Sequence, residues 1–174
     1  MEGQTSTASE NDTKNEENIV FVSHDTDVRQ EYDSAKRLYE ELKRTKLHPW
    51  LDQYDILPGQ RRETEMLKAI KNSRYFIAIL SSNSINRKGP AQKQREKAFN
   101  VQTNFPPSDI FLIPARLDNC TVSDERLEDI QYVDLFPDWD SGFKRILQAM
   151  KVEETRPAKV IPFRLLILMP FPVR

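Results

Sequence analysis

The side chains able to do chemistry sit in short polar stretches that follow apolar runs. Ser23, His24, Asp25, Thr26 and Asp27 follow Ile19-Val20-Phe21-Val22. Asp52 and Asp55 follow His48-Pro49-Trp50-Leu51 and lead to Pro58-Gly59-Gln60. Ser81, Ser82, Asn83 and Ser84 follow Tyr75-Phe76-Ile77-Ala78-Ile79-Leu80, and Arg116 and Asp118 follow Ile110-Phe111-Leu112-Ile113-Pro114. In an open parallel sheet, ligands bind beyond the carboxyl ends of the strands, where the strand order reverses. These residues would meet at one such rim and make a polar, hydrogen-bonding pocket. No nucleophile–base pair stands out among them.

Several standard sites are excluded. Gly3, Gly59, Gly89 and Gly142 are the only glycines, and none belongs to GxGxxG or to a P-loop. His24 and His48 lie apart and no CxxC exists, so no metal site is expected. No serine stands in a GxSxG elbow. A phospho-receiver would need an aspartate after the third apolar run, which ends in serines.

The elements that must position these residues alternate between strand and helix patterns. The runs at 19–22, 75–80 and 110–114 are continuously apolar, as in parallel strands covered on both faces. Residues 48–51 form a shorter strand that Pro49 marks as an edge. A brief last strand is expected at Tyr132-Val133. Ala35, Leu38, Tyr39 and Leu42 make a helical stripe. Met66, Leu67 and Ile70 continue that spacing, and Phe143, Ile146, Leu147 and Met150 close the chain with it. Pro90 opens a helix over 90–100, and residues 52–60 form a loop turning at Pro58-Gly59. Five strands alternating with helices imply right-handed βαβ units on one parallel sheet.

At 174 residues the chain fits one domain, here 18–152, with short tails. Residues 1–17 are polar, acidic and expected to be disordered. They hold no signal-peptide core, no run is long enough to span a bilayer, and Cys120 is the only cysteine. A cytoplasmic setting is therefore expected. A net charge of −1 gives no sign of a nucleic-acid partner. The stretch 153–174 is Pro-rich and ends in VIPFRLLILMPFPVR. It reads as a strand-like extension, the stub of a following domain, or a partner- or membrane-contacting segment.

In order, IVFVSHD, HPWLDQYDILPGQ, NSRYFIAILSSNSINRKG, DIFLIPARLDNC and FKRILQAM resemble the successive motifs of a TIR (Toll/interleukin-1 receptor) domain of bacterial type. The resemblance runs over residues 18–151. It implies a flavodoxin-like three-layer α/β fold whose five-stranded parallel sheet has the order 2-1-3-4-5. It also implies pairing with other TIR domains in signal transduction and innate immunity, through the loop holding Leu57, Pro58 and Gly59. Many members cleave NAD to nicotinamide and ADP-ribose or its cyclic form. The N-glycosidic bond breaks through an oxocarbenium-like state that a carboxylate can stabilise or trap.

In such members that carboxylate is a glutamate on the helix after the third strand. The pattern there is aromatic, valine, any residue, lysine, glutamate, then isoleucine or leucine. The matching stretch here is Pro90-Ala91-Gln92-Lys93-Gln94-Arg95, so Gln94 stands at the catalytic position and Arg95 at an apolar one. Glutamine keeps the size and hydrogen bonding of glutamate but carries no charge to set against a cation. Glu96 would face about 200° away around the helix. The resemblance thus implies an assembly domain with an NAD pocket lined by Ser23, His24, Trp50, Asp52, Ser81, Ser82 and Gln94. The alternatives are an active NAD glycohydrolase of bacterial defence or virulence, a pocket that binds NAD without turnover, and a nucleoside deoxyribosyltransferase-like enzyme.

Overall fold

The computed structural model describes residues 18–122 and 124–152. The two expected tails, 1–17 and 153–174, lie outside the described residues. Strands β1 (Ile19–Ser23), β2 (His48–Trp50), β3 (Tyr75–Leu80), β4 (Leu112–Arg116) and β5 (Val133–Asp134) form one parallel sheet. Its order is β2-β1-β3-β4-β5, as expected for the flavodoxin-like class. The intervening helices are α1 (Arg29–Lys43), α2 (Asp52–Asp55), α3 (Arg62–Asn72), α4 (Pro90–Gln102), α5 (Glu125–Glu128) and α6 (Trp139–Ala149).

All six residues of β3 are buried, because helices cover both faces of the sheet. Alternation along the strand splits the core in two. Tyr75, Ile77 and Ile79 join Val20 and Val22 against the stripe of α1 and against Ile146 and Leu147 of α6. Phe76, Ala78 and Leu80 join Phe21 against Ala69 and Ile70 of α3, Ala98 of α4 and Leu127 of α5. On this second face a row of rings crosses the strands. Trp50 stacks on Phe21 at 4.7 Å between centroids, Phe21 on Phe76 at 5.1 Å, and Phe76 meets Phe111 at 6.3 Å.

Some boundaries differ from the sequence reading. The expected loop at 52–60 begins with a helical turn, α2, because the Leu51 N–H donates to the Asp55 carboxylate at 2.7 Å. The Pro58-Gly59 turn stands, with Gly59 at φ 91°, a conformation that favours glycine. Strand β4 starts two residues later than expected and contains Pro114. Leu117 donates to Leu80 on one side and Arg116 accepts from Leu135 on the other, so Pro114 turns its missing donor toward short β5. The last strand is Val133–Asp134, not Tyr132-Val133, and α5 carried too little periodicity to be foreseen.

Helix α6 starts at an N-cap, Asp138, whose carboxylate accepts from the N–H groups of Asp140 and Ser141. Gly142 then lies against β5. A Cβ there would stand 2.3 Å from the Asp134 carbonyl oxygen, which is backbone and cannot swing aside. Gly142→Ala is therefore expected to cost about 1–3 kcal/mol despite the better helix propensity of alanine. A urea midpoint equal to that of the parent chain would refute this contact.

Candidate functional site

The strand order reverses between β1 and β3, so the crevice between their carboxyl ends is the expected ligand position. Helix α1 flanks it on one face of the sheet and α4 on the other. Gly89 and Pro90 start α4, with Pro90 where a missing N–H costs nothing. The inner stripe of α4 is Ala91, Gln94, Arg95 and Ala98, so two polar side chains are driven into the interior.

Gln94 is 5 % exposed and meets Ser23 at the end of β1. The Ser23 hydroxyl donates to Gln94 Oε1 at 2.6 Å, and Gln94 Nε2 lies 3.1 Å from Met66 Sδ. Ser81 and Ser84, also buried, donate to the carboxylate of Glu31, Ser81 at 2.6 Å. The Asp25 backbone N–H donates to the other Glu31 oxygen at 2.7 Å. Glu31 is fully buried, and three donors from β1's exit loop and β3's end converge on it.

Of the remaining expected residues, His24 and Asp52 form a second group with Arg62, and Trp50 and Ser82 stand elsewhere. His24 is buried and takes a hydrogen bond from the Gln53 amide at 3.0 Å. Burial lowers its pKa against the pull of Asp52 and Asp25, so the ring is neutral at pH 7. Asp52 holds Arg62 at 2.5 Å. Trp50 is half-buried, stacks on Phe21 in the row of rings and also lines a cavity of about 750 Å³ at the β2 edge. Ser82 is exposed, its N–H and hydroxyl bound to Asp118 at 3.0 and 2.8 Å. Glu96 faces solvent beside Gln92, as the helical spacing requires.

Glu31 was missed by the sequence reading, although it occupies the first position of the α1 stripe, four residues before Ala35. Arg95 is only 4 % exposed, and its Nε has no partner among the described residues. Burial pushes its pKa down, and Glu31 is the strongest of the carboxylates opposing that shift. A buried carboxylate and a buried guanidinium thus stand at the crevice beside Gln94. Surface cavities of about 750, 490 and 390 Å³ lie elsewhere, and Ser23, Ser81 and Gln94 line none of them. Among the described residues no group of three or more His, Cys, Asp or Glu is placed to hold a metal ion.

Burial raises the pKa of Glu31 above the usual carboxylate value, with the serine hydroxyls and the Asp25 N–H opposing the shift. The native state then holds the Glu31 proton to higher pH than the unfolded chain does. Its contribution to stability is full below the ordinary carboxylate range and is lost as pH rises through the raised value. Carbon-detected titration of Glu31 is expected to show a midpoint above 4.5, the ordinary value. Arg95→Leu is expected to move the midpoint further up, because it removes an attractive charge. A midpoint that does not move would mean that the two groups do not interact.

A family model described as TIR domain matches residues 20–147. No curated protein sequence matches the chain. Three solved structures of similar fold share under a fifth of its residues. The TIR domains of the activated Roq1 resistosome, which directly recognises the pathogen effector XopQ, are 18% identical with a TM-score of 0.59, covering 76% of this chain and 99% of that one. The TIR domain of the Toll-related receptor TRR-2 from Hydra magnipapillata is 19% identical at TM-score 0.56, covering 74% and 94%. A prokaryotic SEFIR domain is 18% identical at TM-score 0.59, covering 90% and 99%.

Proposed function

The chain belongs to the TIR-domain family, and on that premise we propose that it is a signalling and assembly domain acting through contacts with other TIR domains. Its β1/β3 crevice is an NAD pocket in which Gln94 holds the place of the catalytic glutamate. The observation that carries this reading is the buried Ser23–Gln94 hydrogen bond at 2.6 Å. It sets a neutral amide where charge stabilisation of a ribosyl cation would need a carboxylate. The neighbouring carboxylates, Glu31 and Asp25, are buried and engaged, Asp25 with Arg87 at 3.5 Å. They are poorly placed to substitute for it.

The assembly role rests on the family and on the loop after β2. Leu57 is 62% exposed, and Pro58 and Gly59 are exposed beside it. The loop is nevertheless firm, since the Leu57 N–H donates to the Gln60 side chain at 2.8 Å and Gln60 N–H to Leu57 O at 3.1 Å. A firm, apolar, exposed turn suits contact with a second TIR domain. The Roq1 structure, a resistosome that recognises a pathogen effector, makes defence signalling the natural setting. Among the described residues no helix is long and apolar enough to cross a membrane, and a cytoplasmic place of action is part of the proposal. The test is nicotinamide release from NAD by the chain and by Gln94→Glu. Equal release by both would favour the alternative, an active NAD glycohydrolase.

A further inference from the structure

A cavity of about 490 Å³ lies far from the NAD crevice, at the amino-terminal ends of β4 and β5. It exists because β5 is short. Pairing with β5 begins only at Ala115, opposite Val133. The preceding residues of β4, Leu112 to Pro114, therefore have no strand on that side among the described residues. Ile110 and Tyr132 border the opening, 44% and 37% exposed, and both are among the few large apolar side chains at the surface.

The chain itself leads to this place. Ala149, the last residue of α6, lines the cavity. Lys151 then takes φ 55°, with its N–H on Gln148 O and the Val152 N–H on Leu147 O. That pairing ends the helix and turns the chain away from its axis. The sequence beyond continues through seven residues, 153–159, to the apolar stretch VIPFRLLILM at 160–169. Seven residues reach up to about 23 Å, against about 4.8 Å between neighbouring strands. Charge also fits. The cavity wall carries Asp129 and Asp109, the latter 3.8 Å from Arg74, beside Arg145, whereas residues 155–174 hold no acid and include Arg164.

The larger cavity at the β2 edge fits this segment poorly. Lys43 and Lys46 outnumber the one carboxylate in its wall, Asp55, so its charge opposes Arg164.

We propose that residues 160–169 of this chain fold back into the β4–β5 cavity as an extended segment beside the first half of β4, completing the edge that β5 leaves open. The inference is independent of the NAD reading. It is tested on the full chain with Cys120→Ser and Leu166→Cys, a nitroxide on the introduced thiol and nitrogen-15 labelling. The expected result is broadening of the amides of Ile110, Leu112 and Tyr132, unchanged on dilution, with those of Lys43 and His48 unaffected. Absent broadening overturns the proposal, as does broadening at the β2 edge. Broadening seen only between labelled and unlabelled copies overturns it too, by making a second copy the source. Hydrogen exchange on the chain with native Cys120 gives a second measurement. Leu166→Asp with Leu168→Asp is expected to speed exchange at residues 110–113 roughly tenfold. Unchanged exchange there, or protection of 160–169 that appears only with lipid vesicles, overturns the proposal.

Discussion

Gln94→Glu is expected to raise nicotinamide release from NAD by about two to four decades over the parent chain. The substitution adds no bulk. It replaces a neutral amide by a carboxylate at a position already bonded to Ser23 at 2.6 Å, so the serine hydroxyl goes on donating. Opposite, the amide gives up its donation to Met66 Sδ, a weak acceptor. The gain is electrostatic, since the departing nicotinamide leaves a ribosyl cation and the new charge lies in a water-poor crevice. Chromatography of the products at high protein concentration reads the effect. Release by the parent chain at the rate of the variant would mean that another carboxylate works and that Gln94 is not the cause of silence. Silence of both, and of Gln94→Glu combined with Arg95→Leu, would remove NAD from the proposal while leaving the assembly role.

The second large effect concerns stability. Glu31→Ala is expected to cost about 3–5 kcal/mol. The substitution strands three buried donors, the hydroxyls of Ser81 and Ser84 and the Asp25 N–H. It also leaves Arg95 buried without the carboxylate that most opposes its loss of charge. Glu31→Gln should lose less, because an amide oxygen still accepts from the serines. It should not be neutral, because an amide N–H₂ would meet the Asp25 N–H donor to donor. Urea unfolding with an unchanged slope reads both. A cost for Glu31→Ala below about 1 kcal/mol would mean that water reaches the crevice and satisfies those donors.

The fold was legible because its strong signals are local. Residues 75–80 read as a central strand because every position is apolar, and α1 and α6 read as helices from one stripe each. Weak elements were read less well for the opposite reason, β5 one residue early and α5 not at all. Two-residue β5 and one-turn α5 hold too few residues to show a period, and their places are set by partners such as Arg116, whose guanidinium grips Asp134 at 2.7 and 3.0 Å. Within the crevice, Ser23 and Gln94 were legible from motif and spacing, and they meet. The place of Glu31 was not, because a charged residue at the head of an amphipathic stripe looks like a solvated first-turn acid. Only the sheet order brings β3's serines over it. Trp50 shows the converse, since its side of the strand is fixed by pairing with Phe21, which spacing alone does not reveal.

The row of rings from Trp50 through Phe21 and Phe76 to Phe111 has a kinetic consequence. Each neighbour in that row is supplied by a different strand or its approach, and a whole helical crossover separates every pair along the chain. No two rings can stack until a long loop has closed, so the entropy of closure is spent before the contact is made. This face of the sheet should consolidate late, after α1 and α6 have formed from local contacts. An interrupted or slowed refolding reaction would therefore leave its aromatic face open to water longest, which makes that face the surface through which incompletely folded copies first aggregate.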